Sequence, residues 1–301
     1  MYDVLILGGG PAGCTAALYA ARSGLRCALL EGRSAGGQML LTGRIENYPG
    51  VSCADGAQLA ERMRRQAEDA DAQWLGEKAI SVELTAETKT VRTVSVAYTA
   101  RTLIAATGAS PRRLGLPEEL RLTGRGVSYC AACDGMFFRG KRVAVVGGGN
   151  TAAGDALLLS KLCTQVHLIH RRSALRAGKA EQAALAGLEN LSIHWDTEVT
   201  ALMGGEFLEE IRLKNRATGE ESCIAVDGVF VAVGAEPESK LFRGVLAMDE
   251  GGFLQTNAAL ETSIPGVFAA GDVRSGAIRQ IITAAADGAA AAISAAKTLN
   301  K

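Results

Sequence analysis

The chain has no excess of charge: its 301 residues hold 32 Lys+Arg and 32 Asp+Glu. A field able to gather nucleic acid needs a clustered surplus of one sign, so nucleic-acid binding is not expected. There is no apolar run of about 18 residues free of glycine and charge, so no membrane span is expected. The start, Met1-Tyr2-Asp3, puts no basic segment ahead of the first apolar run, and no secretory signal is expected. A second C-x-x-C is also missing: Cys14, Cys27, Cys53, Cys163 and Cys223 stand alone, and His167, His170 and His194 form no H-x3-5-H pair. A zinc site, which ordinarily takes four ligands and a second such pair, is left short of donors. Seven cysteines, an odd and mostly scattered set, suit the reducing cytoplasm better than a secreted disulfide scaffold.

What is present is a chain long enough for about two domains, with 48% hydrophobic residues to fill two cores. Its 36 glycines follow no repeat and cluster where strands end. The run Cys130-Ala131-Ala132-Cys133-Asp134-Gly135 brings two sulfurs within bonding reach, with an acid directly after the second. A thiolate is both nucleophile and metal ligand. The pair alone therefore reads as a redox dithiol, as half a zinc site or as two unrelated buried thiols, and its flanks must decide.

The apolar run Tyr2–Leu7 reads as a strand and leads straight into Gly8-Gly9-Gly10-Pro11-Ala12-Gly13. Residues 14–23 read as a helix, residues 26–30 as the next strand, and Glu31 ends it. Strand, G-x-G-x-x-G, helix, strand and terminal acid in this order form a dinucleotide-binding unit. The glycines allow a tight turn, the helix N-terminus receives a pyrophosphate, and Glu31 can accept from a ribose hydroxyl. Gly36-Gly37-Gln38 is a flexible loop, and Gln38 and Asn47 could serve as polar hands for a ring system. Residues 57–71 read as an amphipathic helix, 78–84 and 91–96 as strands of a small meander, and 103–109 as a buried strand whose glycine turn holds Thr107 and Gly108. Residues 111–117 read as a linker.

After the cysteines the opening pattern repeats. Residues 141–146 form a strand, Gly147-Gly148-Gly149-Asn150-Thr151-Ala152 a second glycine turn, a helix runs to about residue 162, and 165–169 is a strand. Ala105–Ala109 is echoed by Val231–Ala235. A second pass through one architecture is the economical explanation. This copy ends its second strand not with an acid but with His170-Arg171-Arg172, and Arg176 follows. Arginines there accommodate a 2′-phosphate, because a guanidinium fork matches phosphate geometry. The first site should hold a nucleotide with a free ribose and the second NADPH, with His170 read as structural. Residues 199–213 and 223–226 supply another meander. Gly271-Asp272 follows a short strand, and Arg279-Gln280-Ile281 opens an alanine-rich helix to about residue 298.

These motifs span the chain, and with the dithiol just ahead of the second glycine turn the sequence resembles the low-molecular-weight, bacterial-type thioredoxin reductases. The resemblance implies an α/β fold of two Rossmann-like, three-layer dinucleotide-binding domains, each with a parallel sheet and a small β-meander. Residues 1–112 and 244–301 would form a discontinuous FAD-binding domain, and 113–243 an NADPH-binding domain carrying the cysteines. It places FAD on Gly8, Gly10, Pro11, Ala12, Gly13 and Glu31, on Gly36, Gly37, Gln38 and Asn47, and on Thr107, Gly108, Gly271, Asp272, Arg279, Gln280 and Ile281. NADPH falls to Gly147, Gly149, Asn150, Thr151 and Ala152 with Arg171, Arg172 and Arg176. Electrons would pass from NADPH through FAD to the Cys130–Cys133 disulfide and on to thioredoxin or a thioredoxin-like protein. Cys133 would lie nearer the flavin, Cys130 would attack the protein substrate and Asp134 would act as acid/base. The resemblance also implies a homodimer, no metal, and hinges near Leu114 and Lys240 about which the second domain rotates.

One position departs from the pattern: Gly154 stands where the family carries glutamate. The change costs helix stability and removes a carboxylate expected near the nicotinamide. Two alternatives remain open at this stage: a related flavoenzyme, either ferredoxin-fed or a dithiol oxidase, and a non-enzymatic nucleotide- or zinc-binding regulator.

Overall fold

The computed structural model describes residues 1–32, 35–85 and 87–300. Arg33, Ser34, Ala86 and Lys301, all within the expected FAD-binding segments, lie outside them. The chain divides into two compact units, Met1–Ser110 with Glu236–Lys301, and Pro111–Ala235.

In the first unit the apolar run becomes the strand Tyr2–Leu7, paired with Cys27–Leu30 on one side and Ala97–Ala105 on the other, all parallel. Val267–Ala269 joins the far side of Ala97–Ala105, also parallel. Alternation along the first strand sends Val4 and Ile6 to one face and Leu5 and Leu7 to the other. The first face is covered by the helices Pro11–Arg22 and Ile281–Leu299. Gly288 lies so close to the first helix that a Cβ there would stand 2.1 Å from the Ala12 carbonyl oxygen. The alanine-rich tail is thus a tightly packed helix, and its small side chains permit the approach. The second face is covered by a meander of Ser81–Glu83, Lys89–Arg92 and the near half of Ala97–Ala105.

The strand expected at residues 91–96 lies instead at Lys89–Arg92. Residues 93–96 form the turn of the meander, because the Thr93 hydroxyl accepts from the amides of Ser95 (3.2 Å) and Val96 (3.0 Å). Their β-branched composition looks strand-like, but this local capture competes with a ladder. The following strand starts at Ala97, earlier than its apolar stretch suggests, and ends at Ala105.

The second unit repeats the plan. Its sheet runs Leu191–His194, Gln165–Ile169, Arg142–Gly147, Gly228–Ala232, Val127–Ser128, all parallel. The helices Asn150–Ser160 and Lys179–Ala186 pack on one face, burying Ala152, Ala156 and Leu159 against Val143 and Val145. A separate antiparallel meander, Thr197–Met203, Glu210–Asn215 and Glu221–Ala225, covers the other. Each unit is therefore three-layered, and parallel strands deliver both glycine turns, Glu31, Thr107, Gly271, Arg171 and the cysteines to the carboxyl end of a sheet, where such folds bind ligands.

Candidate functional site

In the first unit Leu7, Leu30, Ala105 and Ala269 end at one level. The segments that follow them meet there. The Gly36 amide donates to the Gly9 carbonyl at 2.8 Å, which lays the Gly36-Gly37 loop over the glycine turn. Asn47 Nδ2 donates to Gln280 Oε1 at 3.1 Å, so two residues 233 apart in sequence are joined. Gln280 also caps the last helix in a reciprocal pair with Thr283. Gln38 reaches Ser110 Oγ at 3.4 Å, and the Arg279 guanidinium lies 5.0 Å from the Phe253 ring centroid. Glu31 Oε2 accepts from the Gly9 amide at 2.9 Å. Burial pushes Asp272 up to about 6, against the pull of Arg279. The Gly271 amide donates to Asp287 Oδ2 at 3.0 Å.

In the second unit the glycine turn follows the central strand. Gly149 caps the helix Asn150–Ser160 in extended conformation with no side-chain cap, as Gly10 caps the first helix, and a Cβ at either glycine would meet nothing within 4 Å. The Asn150 side chain is engaged, accepting from the Gly178 amide at 2.9 Å. The arginine segment is pinned through its backbone. His170 N donates to His194 O at 3.0 Å, Thr197 N to His170 O at 2.9 Å, Asp196 N to Arg172 O at 3.2 Å, and Arg176 N to Gly148 O at 2.7 Å. His170 is buried, with its ring nitrogen Nε2 3.0 Å from the Ala174 carbonyl oxygen, which fits its structural reading. Arg171, Arg172 and Arg176 are exposed, and among the described residues no carboxylate pairs with them.

The cysteines sit at the end of the strand Val127–Ser128. Cys130 and Cys133 are disulfide-bonded, with Cα atoms 5.3 Å apart, across the short helix Ala131–Asp134. Asp134 is largely buried; burial raises its pKa and a hydrogen bond from Ser128 holds it back. Among the described residues no group of three or more His, Cys, Asp or Glu is placed to hold a metal. Cys14, pushed up to about 12 mainly by burial, is a packed thiol rather than a nucleophile.

Three participants went unnoticed in the sequence. Ser128 bonds the Asp134 carboxylate. Glu119, 1% exposed, accepts from the amides of Leu114 (2.9 Å), Gly115 (2.8 Å) and Leu116 (3.4 Å) and from the Tyr129 hydroxyl (2.9 Å). It thereby ties the linker to the residue before Cys130. Asp155, pushed up to about 6 by burial, is the one titratable group on the helix packed against the dithiol helix. None belongs to a recognisable motif; each becomes visible only when strands and helices are assembled.

A cradle at the carboxyl end of each parallel sheet, with a disulfide in the second unit, defines a nucleotide-dependent disulfide oxidoreductase. The chain belongs to the pyridine nucleotide-disulphide oxidoreductase family, whose model matches residues 2–288. It is 42% identical to a thioredoxin reductase of Peptoclostridium litorale over 100% of this chain and 98% of that protein. It is 43% identical to one of Streptomyces coelicolor over 97% and 92%. Among solved structures, thioredoxin reductase from Streptococcus pyogenes superposes with a TM-score of 0.94 at 41% identity, covering 100% of this chain and 98% of that one.

Thioredoxin reductases of this family bind FAD and depend on NADPH, and the residues here fit both. In the first unit the Thr107 hydroxyl, just past the carboxyl end of the strand Ala97–Ala105, is buried without a partner among the described residues. An orphaned buried hydroxyl implies a polar occupant, and the uncapped helix start beside Gly10 suits a pyrophosphate. In the second unit three free guanidinium groups beside an uncapped glycine turn suit a phosphorylated ribose.

Proposed function

We propose that this protein is an NADPH-dependent thioredoxin-disulfide reductase, acting in the cytoplasm as a homodimer. The reading is carried by one observation: the Cys130–Cys133 disulfide and a buried carboxyl, Asp134, share a unit with an arginine-marked glycine turn. No described helix is long and apolar enough to cross a membrane.

The FAD-binding domain is expected at residues 1–112 with 244–301 and the NADPH-binding domain at 113–243, though the compact units put residues 236–243 with the first, where Phe242 packs beside Leu5 and Leu7. The turn Gly8–Gly13 receives the FAD pyrophosphate, Glu31 a ribose hydroxyl, and Thr107, Gly108, Asn47, Asp272 and Gln280 the remaining polar groups. Gly147–Ala152 receives the NADPH pyrophosphate, and Arg171, Arg172 and Arg176 its 2′-phosphate. Bound FAD supplies two-electron transfer between NADPH and a disulfide.

The chain's own residues complete the reaction. Once the pair is reduced, the Cys130 thiolate attacks a sulfur of the thioredoxin disulfide, and the other thioredoxin sulfur leaves as a thiolate. Cys133 then attacks Cys130, which re-forms the Cys130–Cys133 bond and releases the second sulfur. The enzyme loses two electrons and two protons, and thioredoxin gains both. Asp134, whose pKa burial raises, donates to a leaving thiolate and is recharged by a cysteine thiol.

Steady-state assays of the purified, yellow protein should show NADPH oxidation that depends on thioredoxin. Cys133→Ser should abolish thioredoxin reduction while NADPH still bleaches the flavin. Surviving disulfide turnover in that variant would sink the assignment. Slow or absent bleaching in stopped flow would instead favour a ferredoxin-fed reductase or a dithiol oxidase.

A further inference from the structure

We propose that Ser128 is a positioning residue for the dithiol: its hydroxyl fastens the Asp134 carboxylate to the backbone of Cys130 and so sets where, and at what pH, Asp134 exchanges its proton. The inference rests on the thioredoxin reductase reading of Asp134 but goes beyond it to a residue outside the C-x-x-C motif.

Ser128 is 4% exposed at the end of the strand Val127–Ser128, where Phe230 of the neighbouring strand pairs with it. Its Oγ lies 2.6 Å from Asp134 Oδ2, 3.1 Å from the Cys130 amide nitrogen and 3.4 Å from the Cys130 carbonyl oxygen. A hydroxyl has one proton to give. The amide must donate to it, and of the two acceptors the carboxylate is much the nearer and the better. One side chain thus joins the acid to the nucleophile's backbone. The Cys130 carbonyl in turn accepts from the Asp134 amide at 3.1 Å, closing a small ring around the dithiol.

Little else competes for the carboxylate. Burial raises its pKa and donation from Ser128 lowers it, with no charged partner acting on it. The helix packed against the dithiol helix carries Asp155 as its one titratable residue. The strands Val127–Ser128 and Gly228–Ala232 and the segment Gly135–Phe138 carry none. Removing a hydrogen bond given to the ionised form disfavours that form, so the Asp134 pKa must rise without Ser128. A charge-assisted bond of this kind corresponds to about one pKa unit.

The test compares the FAD-loaded wild type with Ser128→Ala, Ser128→Thr and Asp134→Asn. The Asp134 carboxyl is titrated by difference infrared spectroscopy, using Asp134→Asn to identify its band. The pH profile of thioredoxin-dependent NADPH oxidation is recorded alongside. In Ser128→Ala both the carboxyl titration and the limb that Asp134 governs should move up by about one unit, Ser128→Thr should restore them, and the KM for NADPH should not change. A carboxyl titration in Ser128→Ala that overlays the wild type, or a loss of rate equal at every pH, overturns the proposal. The infrared titration needs no protein substrate. Absent thioredoxin turnover would count against the assigned activity, and an unmoved carboxyl against Ser128.

Discussion

Arg171→Ala isolates the nicotinamide-nucleotide choice from the fold. The segment is held by four backbone hydrogen bonds of 2.7 to 3.2 Å, none of which uses an arginine side chain. Truncation should therefore leave the melting temperature nearly unchanged. The lost contact is a charge-assisted bond to a phosphate, about 1.5–3 kcal/mol, or roughly a 10- to 100-fold weakening at 1.4 kcal/mol per decade. Because the side chain is exposed, salt screening places the effect toward the lower end in physiological buffer, and it should shrink further as ionic strength rises. The measurement is KM and kcat for NADPH and NADH with thioredoxin saturating. The expected outcome is a KM rise for NADPH, little change for NADH and an unaltered kcat, the signature of lost uniform binding. Equal losses for both nucleotides, or a loss insensitive to salt, would refute the 2′-phosphate clamp.

Gly154 is exposed in the interior of the helix Asn150–Ser160, and a Cβ there would meet nothing within 4 Å. Gly154→Ala should stabilise the protein by about 0.8–1 kcal/mol in urea denaturation, and Gly154→Glu should alter the KM for both nicotinamide nucleotides together. Glu119→Leu strands three amides and the Tyr129 hydroxyl in a buried site; it should cost about 3–5 kcal/mol by the same measurement, with partial rescue by Glu119→Gln. The His167 and His194 rings meet with nitrogens 3.0 Å apart, and burial lowers both pKa values, with Arg142 also acting on His167. Folding thus favours their neutral forms, so the stability they contribute is complete above about pH 6.5 and is lost as pH falls through the depressed folded values. The unfolding free energy should fall less between pH 7 and pH 5 in His167→Gln/His194→Gln than in the wild type.

Much of the architecture was legible because its signals are local. A glycine turn must follow the strand that feeds it, so Gly8–Gly13 and Gly147–Ala152 located both sheets, and Gln165–Ile169 was read to the residue. The strand expected at residues 91–96 ends at Arg92 because a side-chain hydroxyl, not hydrophobic pattern, decides the turn that follows. Ala97–Ala105 was foreshortened because its near half, with Tyr98 and Arg101, is half in solvent and carries no apolar run. Ser128 and Glu119 were invisible for a different reason. Ser128 reaches Asp134 six residues on, and Glu119 joins Leu114, five residues before it, to Tyr129, ten after, so the links that matter for the site follow no helical spacing.

Under the proposed assignment, the two copies differ at the place where the ribose would lie. In each, the residue ending the second strand lies over the middle glycine of the turn. A Cβ at Gly9 would come within 3.0 Å of Glu31 Cγ, and one at Gly148 within 2.1 Å of the His170 ring. In both copies, then, glycine at that position is demanded by close approach. What differs is chemistry at an otherwise equivalent place. Glu31 accepts from the Gly9 amide and presents a carboxylate, which repels a 2′-phosphate and suits a free hydroxyl. His170 fills the same space without that negative charge; its ring is turned to the Ala174 carbonyl, and burial lowers its pKa. The positions that follow are then free to carry Arg171 and Arg172. Under the proposed assignment, a buried imidazole in place of the acid removes a charge that would repel a 2′-phosphate, and Arg171 and Arg172 would supply its partners.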